Sequence, residues 1–395
     1  MAKRAQLYYQ LGHQFKWSLE SIRNDGDGLI IAPRHMAPEK VQAIQTGLRR
    51  RSFFDPQFFL PNSARGKLAE YSFFPDILSG GFTTGEWNLE VARTCADRCL
   101  NFQRTLGFQA LVIPGRFYEG MPSDFISDQE EQFVVPFLDS LRAAGGDDTP
   151  VFLQLILTDQ MLKDDSYRTS ILNWITSFQE LDGVYLIYYV QKRQKQISDI
   201  DLLAALLQFI GDIKQSGLSI VVGYTNTESI LLLCAGADVL TMGSYENLRI
   251  FSLRAFEEPQ DRSMRGPTAR VYVPRLLQWI EHQYIGAIQE VVGDIDEYLD
   301  DNEYRVRMFE PTYNWHFTKP EPYRHYFSSF GRQFQRLSTL RTSAIVDAVL
   351  DECRQAIQEF SNLSDEGVVF PPDSGGGHLA CWVTAINLWR RRTRM

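Results

Sequence analysis

The stretch Ser219–Met242, SIVVGYTNTESILLLCAGADVLTM, carries the fold in miniature. A short apolar run (Ser219–Gly223) ends at a glycine. Thr227-Glu228 then supplies a capping and charged start for the helical segment Thr227–Ala235. Gly236-Ala237-Asp238 turns the chain into a second apolar run, Asp238–Met242. A run, a helix and another run make the unit of a parallel sheet, whose strands are buried on both faces and read as continuous Val/Ile/Leu stretches.

Working outward, the same unit recurs. Six more runs precede it: Gly28–Pro33, Gln57–Pro61, Asp76–Phe82, Ala110–Pro114, Val151–Leu157 and Val184–Val190. Helical patterns at Glu86–Leu106, Asp128–Ala144, Ser166–Leu181 and Asp199–Ser216 separate the later ones, and Asn62–Pro75 reads as a loop. Eight alternations predict an α/β fold, a TIM (β/α)8 barrel over about 27–250, within a unit 1–255 that carries an N-terminal extension. After Arg249 the pattern changes. Helical stretches at Pro274–Val292, Arg332–Arg341, Thr342–Phe360 and Leu379–Arg392 predict a mostly helical C-terminal region, 256–395.

Composition narrows the function classes. The 395 residues exceed one ordinary core, and a net charge of −9 argues against sequence-independent wrapping of nucleic acid. The basic clusters Arg49–Arg51 and Arg390–Arg394 read as solvated helix ends. No apolar run is long enough for a membrane span and the N-terminus lacks a signal-peptide core, so a cytoplasmic protein without membrane contact is expected. Five scattered cysteines make no disulfide framework. Cys95 with Cys99, or Cys353 with His378 and Cys381, fall short of a zinc pattern, so neither metal nor cofactor is expected. Gly375–Gly377 reads as a linker, lacking the Lys-Ser/Thr of a phosphate loop.

In such a barrel the residues just after the strands form the site. They give a polar, aromatic ring suited to a flat heteroaromatic ligand. Its ligand-binding members are Arg34, His35, Asp76, Ser79, Gly80, Gly81, Arg116, Tyr118, Gln154, Tyr189, Tyr224, Asn226, Ser244, Tyr245 and Arg249. Asp159 and Glu246 are the acid/base candidates, since a carboxylate at a strand mouth can be desolvated and tuned.

Val221–Arg249 resembles the end of the barrel in tRNA-guanine transglycosylases. That family runs from Gly-Val-Gly-Thr-Pro-Glu-Asp to Gly-Val-Asp and a strand closing near Asn-Ala-Arg. Gly223, Thr227, Glu228, Gly236, Asp238, Asn247 and Arg249 stand in comparable places. Ile77–Phe82, ILSGGF, is similar to the family's Ile-Leu-Thr-Asp-Ser-Gly-Gly-Phe-Gln. Leu78 stands where that family has its base-recognising Asp, with Asp76 nearby. Thr241 stands where it has its nucleophile, and its Cys-rich zinc motif is missing.

The resemblance implies a diverged, zinc-lacking transferase that binds guanine or a 7-deazaguanine and exchanges bases in a nucleic acid or nucleoside. It implies the setting of modification or anti-phage defence systems. The expected partners are a nucleobase-like small molecule, a nucleic acid, and a protein partner or second copy. Two alternatives stand beside it: a catalytically silent, ligand- or partner-binding subunit, and an unrelated barrel enzyme using flavin or a sugar phosphate.

Overall fold

A computed structural model describes residues 4–60, 66–74, 88–145, 148–191, 195–257 and 266–393. Eight of its strands form one parallel sheet: β1 Gln6–Gln10, β2 Gly28–Ile31, β3 Phe53–Phe54, β4 Leu111–Ile113, β5 Val151–Thr158, β6 Gly183–Tyr189, β7 Ser219–Val222 and β8 Val239–Met242. Their order is β3-β2-β1-β8-β7-β6-β5-β4. Beyond the ladders, Gln109 N–H donates to Ser52 O at 3.0 Å and Phe117 N–H to Phe59 O at 2.9 Å. These two bonds tie the flanks of β3 and β4, so the sheet curls into a nearly closed TIM-like barrel surrounded by helices.

Two expectations need correction. The N-terminus is no extension: β1 lies in the middle of the sheet, between β2 and β8. Of the run Gln57–Pro61, the described residues 57–60 are not a strand, because the ladder ends just before them at Phe53–Phe54. Asp76–Phe82 falls outside the described residues. The barrel therefore begins at residue 6 and still counts eight strands.

The helices follow their local chemistry. Leu89–Leu106 starts where the Asn88 side chain accepts from Val91 N–H at 3.0 Å. It stops at Gly107, whose φ of 65° favours a residue without Cβ. Ile200–Gln215 is capped by Asp199 and is buried almost all round. A helix apolar on every face needs cover on both sides. The barrel covers one; the C-terminal helix Gly377–Thr393 covers the other, with Trp382 Nε1 donating to Ile197 O at 2.8 Å.

The C-terminal region is not purely helical. The predicted Pro274–Val292 helix contains an antiparallel hairpin strand, β10 Gln278–Glu281, paired with β9 Arg270–Val273; only Gln283–Val292 is α-helical. Pleating sends Val271 and Val273 into a small core of this region, while Tyr272 joins the core shared with the barrel. Helices Glu321–Ser338 and Thr342–Asp365 complete the packing. Among the described residues, no helix is long and apolar enough to cross a membrane.

Side chains fill the barrel in layers. The lower one holds Tyr8, Phe53 and Phe152, with Phe53 edge-on to Phe152 at 5.1 Å. A Cβ on Gly183 would lie 2.3 Å from the Phe152 ring, so glycine makes room for that layer. Two residues further along the chain, at Asp55 and Gln154, the layer turns polar.

Candidate functional site

Asp55 directly follows β3, and its N–H extends the ladder to Ile31 O at 3.0 Å. Its carboxyl is fully buried inside the barrel. Oδ1 accepts from Gln154 Nε2 at 2.7 Å and from Gln57 N–H at 3.1 Å; Oδ2 accepts from the Tyr185 hydroxyl at 3.3 Å. Gln154 and Tyr185 are register partners on β5 and β6, which is why both reach one carboxyl. Burial pushes Asp55 up to about 7, and the three hydrogen bonds restrain the rise. A carboxyl that titrates near neutrality can both give and take a proton there.

The next layer is held by unusual backbone. Gln57 has φ 58° and Tyr224 φ 54°, left-handed conformations that cost an L-residue on the order of 1 kcal/mol each. Their side chains meet: Gln57 Nε2 donates to the Tyr224 hydroxyl at 3.2 Å, and Gln57 Oε1 accepts from Arg34 N–H at 3.0 Å. Strained residues on both sides of a buried acid mark this mouth as the candidate site. Removing the Tyr185 hydroxyl takes one restraining hydrogen bond from Asp55. Tyr185→Phe is therefore expected to raise the Asp55 titration above the wild-type value, read by carboxyl NMR; an unchanged midpoint would show that this bond is not felt.

The expected ring divides. Arg34, His35 and Tyr224 line the mouth, Gln154 lies in the Asp55 layer beneath it, and the Tyr189 ring packs on Phe117 and Phe251. Other members turn outward. Arg249 lies with its guanidinium 3.9 Å from the Trp279 ring centroid and donates to Ser244 O at 2.9 Å, in the seam between barrel and C-terminal region. Asn226 Nδ2 donates to Lys195 O at 3.0 Å. Tyr245 packs against Trp17 and Tyr323. Arg116 bonds Gln132 and Tyr118 packs on Phe125, both facing the helical stretch after β4. Asp76, Ser79, Gly80 and Gly81 lie outside the described residues.

The two expected acids are placed elsewhere. Asp159 opens the short helix Asp159–Lys163, with its carboxylate 3.7 Å from Lys163 Nζ. Glu246 is ion-paired with Lys195. Neither joins the Asp55 network. Thr241, at the position of the resembled nucleophile, spends its hydroxyl on the Thr225 backbone N–H at 3.2 Å.

Two residues of chemical interest were not among the sequence candidates. Asp55 is one. Glu228 is the other, buried in the seam and raised chiefly by desolvation. Its Oε1 accepts from the Tyr188 hydroxyl at 2.5 Å and from Asn226 N–H at 2.9 Å, whereas Oε2 has no hydrogen-bond partner among the described residues. It lines a cavity of about 20 Å³ with Arg249 and Lys195, enough for a water. Among the described residues, no group of three or more His, Cys, Asp or Glu side chains could hold a metal ion. Cys95 and Cys99 are buried in the core instead.

The fold and the site's location define a TIM-like α/β barrel with its candidate chemistry at the C-terminal ends of the strands. No protein-family model matches the chain. No curated protein matches it in sequence either.

Proposed function

We propose that the barrel mouth is the active site of a base-handling enzyme, a diverged relative of the transglycosylases that binds guanine or a 7-deazaguanine. The observation that carries this reading is Asp55, a buried carboxyl tuned to about 7 at a strand end, where such barrels do their chemistry. In base exchange the glycosidic C1′–N bond to the departing base breaks as Asp55 protonates that base, and the incoming base forms the new bond at C1′ and gives its N–H proton back to Asp55, so the acid is regenerated. Tyr224, Tyr189 and Phe251 supply aromatic faces for the base. The resembled nucleophile position, Thr241, has no part in this account.

Radiolabelled guanine and a 7-deazaguanine, offered with nucleosides and nucleic acid, test it. The wild type is expected to incorporate label, and Asp55→Asn to lose at least about a hundredfold in rate while staying folded. Absence of binding at millimolar base would overturn the reading.

One observation favours a second reading, a silent binding subunit of a modification or defence complex. Phe251 and Phe256 pack edge-on against Phe59, at 5.0 and 4.9 Å, so aromatic rings fill part of the space beyond the strand ends. Stable co-purification with a partner protein, with no turnover by the isolated chain, would favour it.

A further inference from the structure

Arg34 is a cation at the barrel mouth with no acid to answer it among the described residues. Among the described residues no carboxylate lies within ion-pair distance, and its buried Nε has no hydrogen-bond partner. Its backbone is pinned on both sides, N–H to Gln57 Oε1 at 3.0 Å and O to Lys67 N–H at 3.0 Å. Its Nη1 lies 3.2 Å from His35 Nε2. A guanidinium only donates, so this ring nitrogen accepts and His35 is neutral. Burial, and Arg34 itself, hold His35 down to about 4. The histidine thus orients the guanidinium without cancelling its charge.

Arg34, His35, Gln57 and Tyr224 share a cavity with Asn247 and Ser252, which follow β8. An arginine fork beside an amide and hydroxyls is a set of donors suited to a tetrahedral or planar anion. The loops after the last strands are also where many barrels hold such a group. Arg249 likewise has no carboxylate within ion-pair distance, but Trp279 and the Ser244 carbonyl occupy it. The Arg34 cavity measures only about 10 Å³, and the Phe256 ring caps the guanidinium at 5.5 Å. An anion of phosphate size therefore enters with a shift of that ring.

We propose that this cavity is an anion subsite, which takes a phosphate or carboxylate group of the ligand beside the Asp55 network. It goes beyond the base-handling reading, because it holds whatever the rest of that ligand is.

Titration calorimetry of the full chain with inorganic phosphate and with acetate, at constant ionic strength, tests it. Saturable binding of at least one anion is expected, and the tighter one names the source as phosphate or carboxylate. Arg34→Gln is expected to weaken binding roughly tenfold or more, the loss of one charge-assisted contact. Ser252→Asp, at a half-exposed loop position, places an internal carboxylate in the cavity and is expected to abolish binding. Asp55→Asn should keep anion binding even where it stops base exchange, which separates the two proposals. No saturable binding of either anion by the wild type would overturn the subsite. So would wild-type affinity in Arg34→Gln or Ser252→Asp.

Discussion

Asp55→Asn is expected to be more stable than the wild type above about pH 7 and to lose a decline in stability that the wild type shows between about pH 4 and 7. The sign follows from where the proton sits. Asp55 holds it up to about 7 in the folded chain, against 3.8 ordinarily. The native state therefore binds more protons than the unfolded state across that interval, and stability falls as pH rises. Below the interval both states are protonated and nothing is lost. Above it, ionised Asp55 costs on the order of 4 kcal/mol relative to a carboxyl that titrates normally. Asparagine keeps an oxygen for Gln154 and the Gln57 N–H, and turns its amide toward the Tyr185 hydroxyl, which can accept. Urea unfolding of both chains at pH 5 and pH 8 measures the difference. Parallel profiles would show that Asp55 titrates alike in the two states.

Trp382→Ala is expected to destabilise the whole chain by about 3–5 kcal/mol, the usual loss for truncating a buried aromatic. Trp382 is fully buried, meets His378 edge-on at 4.6 Å and donates to Ile197 O at 2.8 Å. The substitution leaves a cavity between helices Gly377–Thr393 and Ile200–Gln215, and an unpaired carbonyl that costs about 1 kcal/mol more. Trp382→Phe, which keeps most of the volume, should lose less. Helix Ile200–Gln215 belongs to the barrel but depends on C-terminal cover. One cooperative transition at a lower denaturant midpoint is therefore expected. A barrel transition left in place, with a separate early loss of the C-terminal region, would show two independent units.

The barrel was legible where strands are long and apolar. Val151–Thr158 and Gly183–Tyr189 stand out because both of their faces are buried. β1 was not, since Gln6–Gln10 begins and ends in polar amides and reads as part of an N-terminal extension. β3 is only two residues long, and the apolar Gln57–Leu60 beyond it drew the strand a few residues too far along. Asp55 was hidden by the same error. Asp-Pro reads as a turn in sequence, and only the true end of β3 brings that Asp to a strand mouth. The Phe53-Phe54 pair before it was the available signal. Gln154 was recognised, but its partner Tyr185 passes in sequence for an apolar strand residue. The outward turn of Arg249 depends on the C-terminal hairpin, which contributes Trp279 from a distant part of the chain. Local patterns do not report that kind of contact.

Titration of the Asp55 carboxyl carbon by NMR, assigned by comparison with Asp55→Asn, bears most directly on the mouth as a site of proton transfer. A midpoint near 7 is expected. A midpoint in the ordinary carboxylate range, near 4, would contradict it.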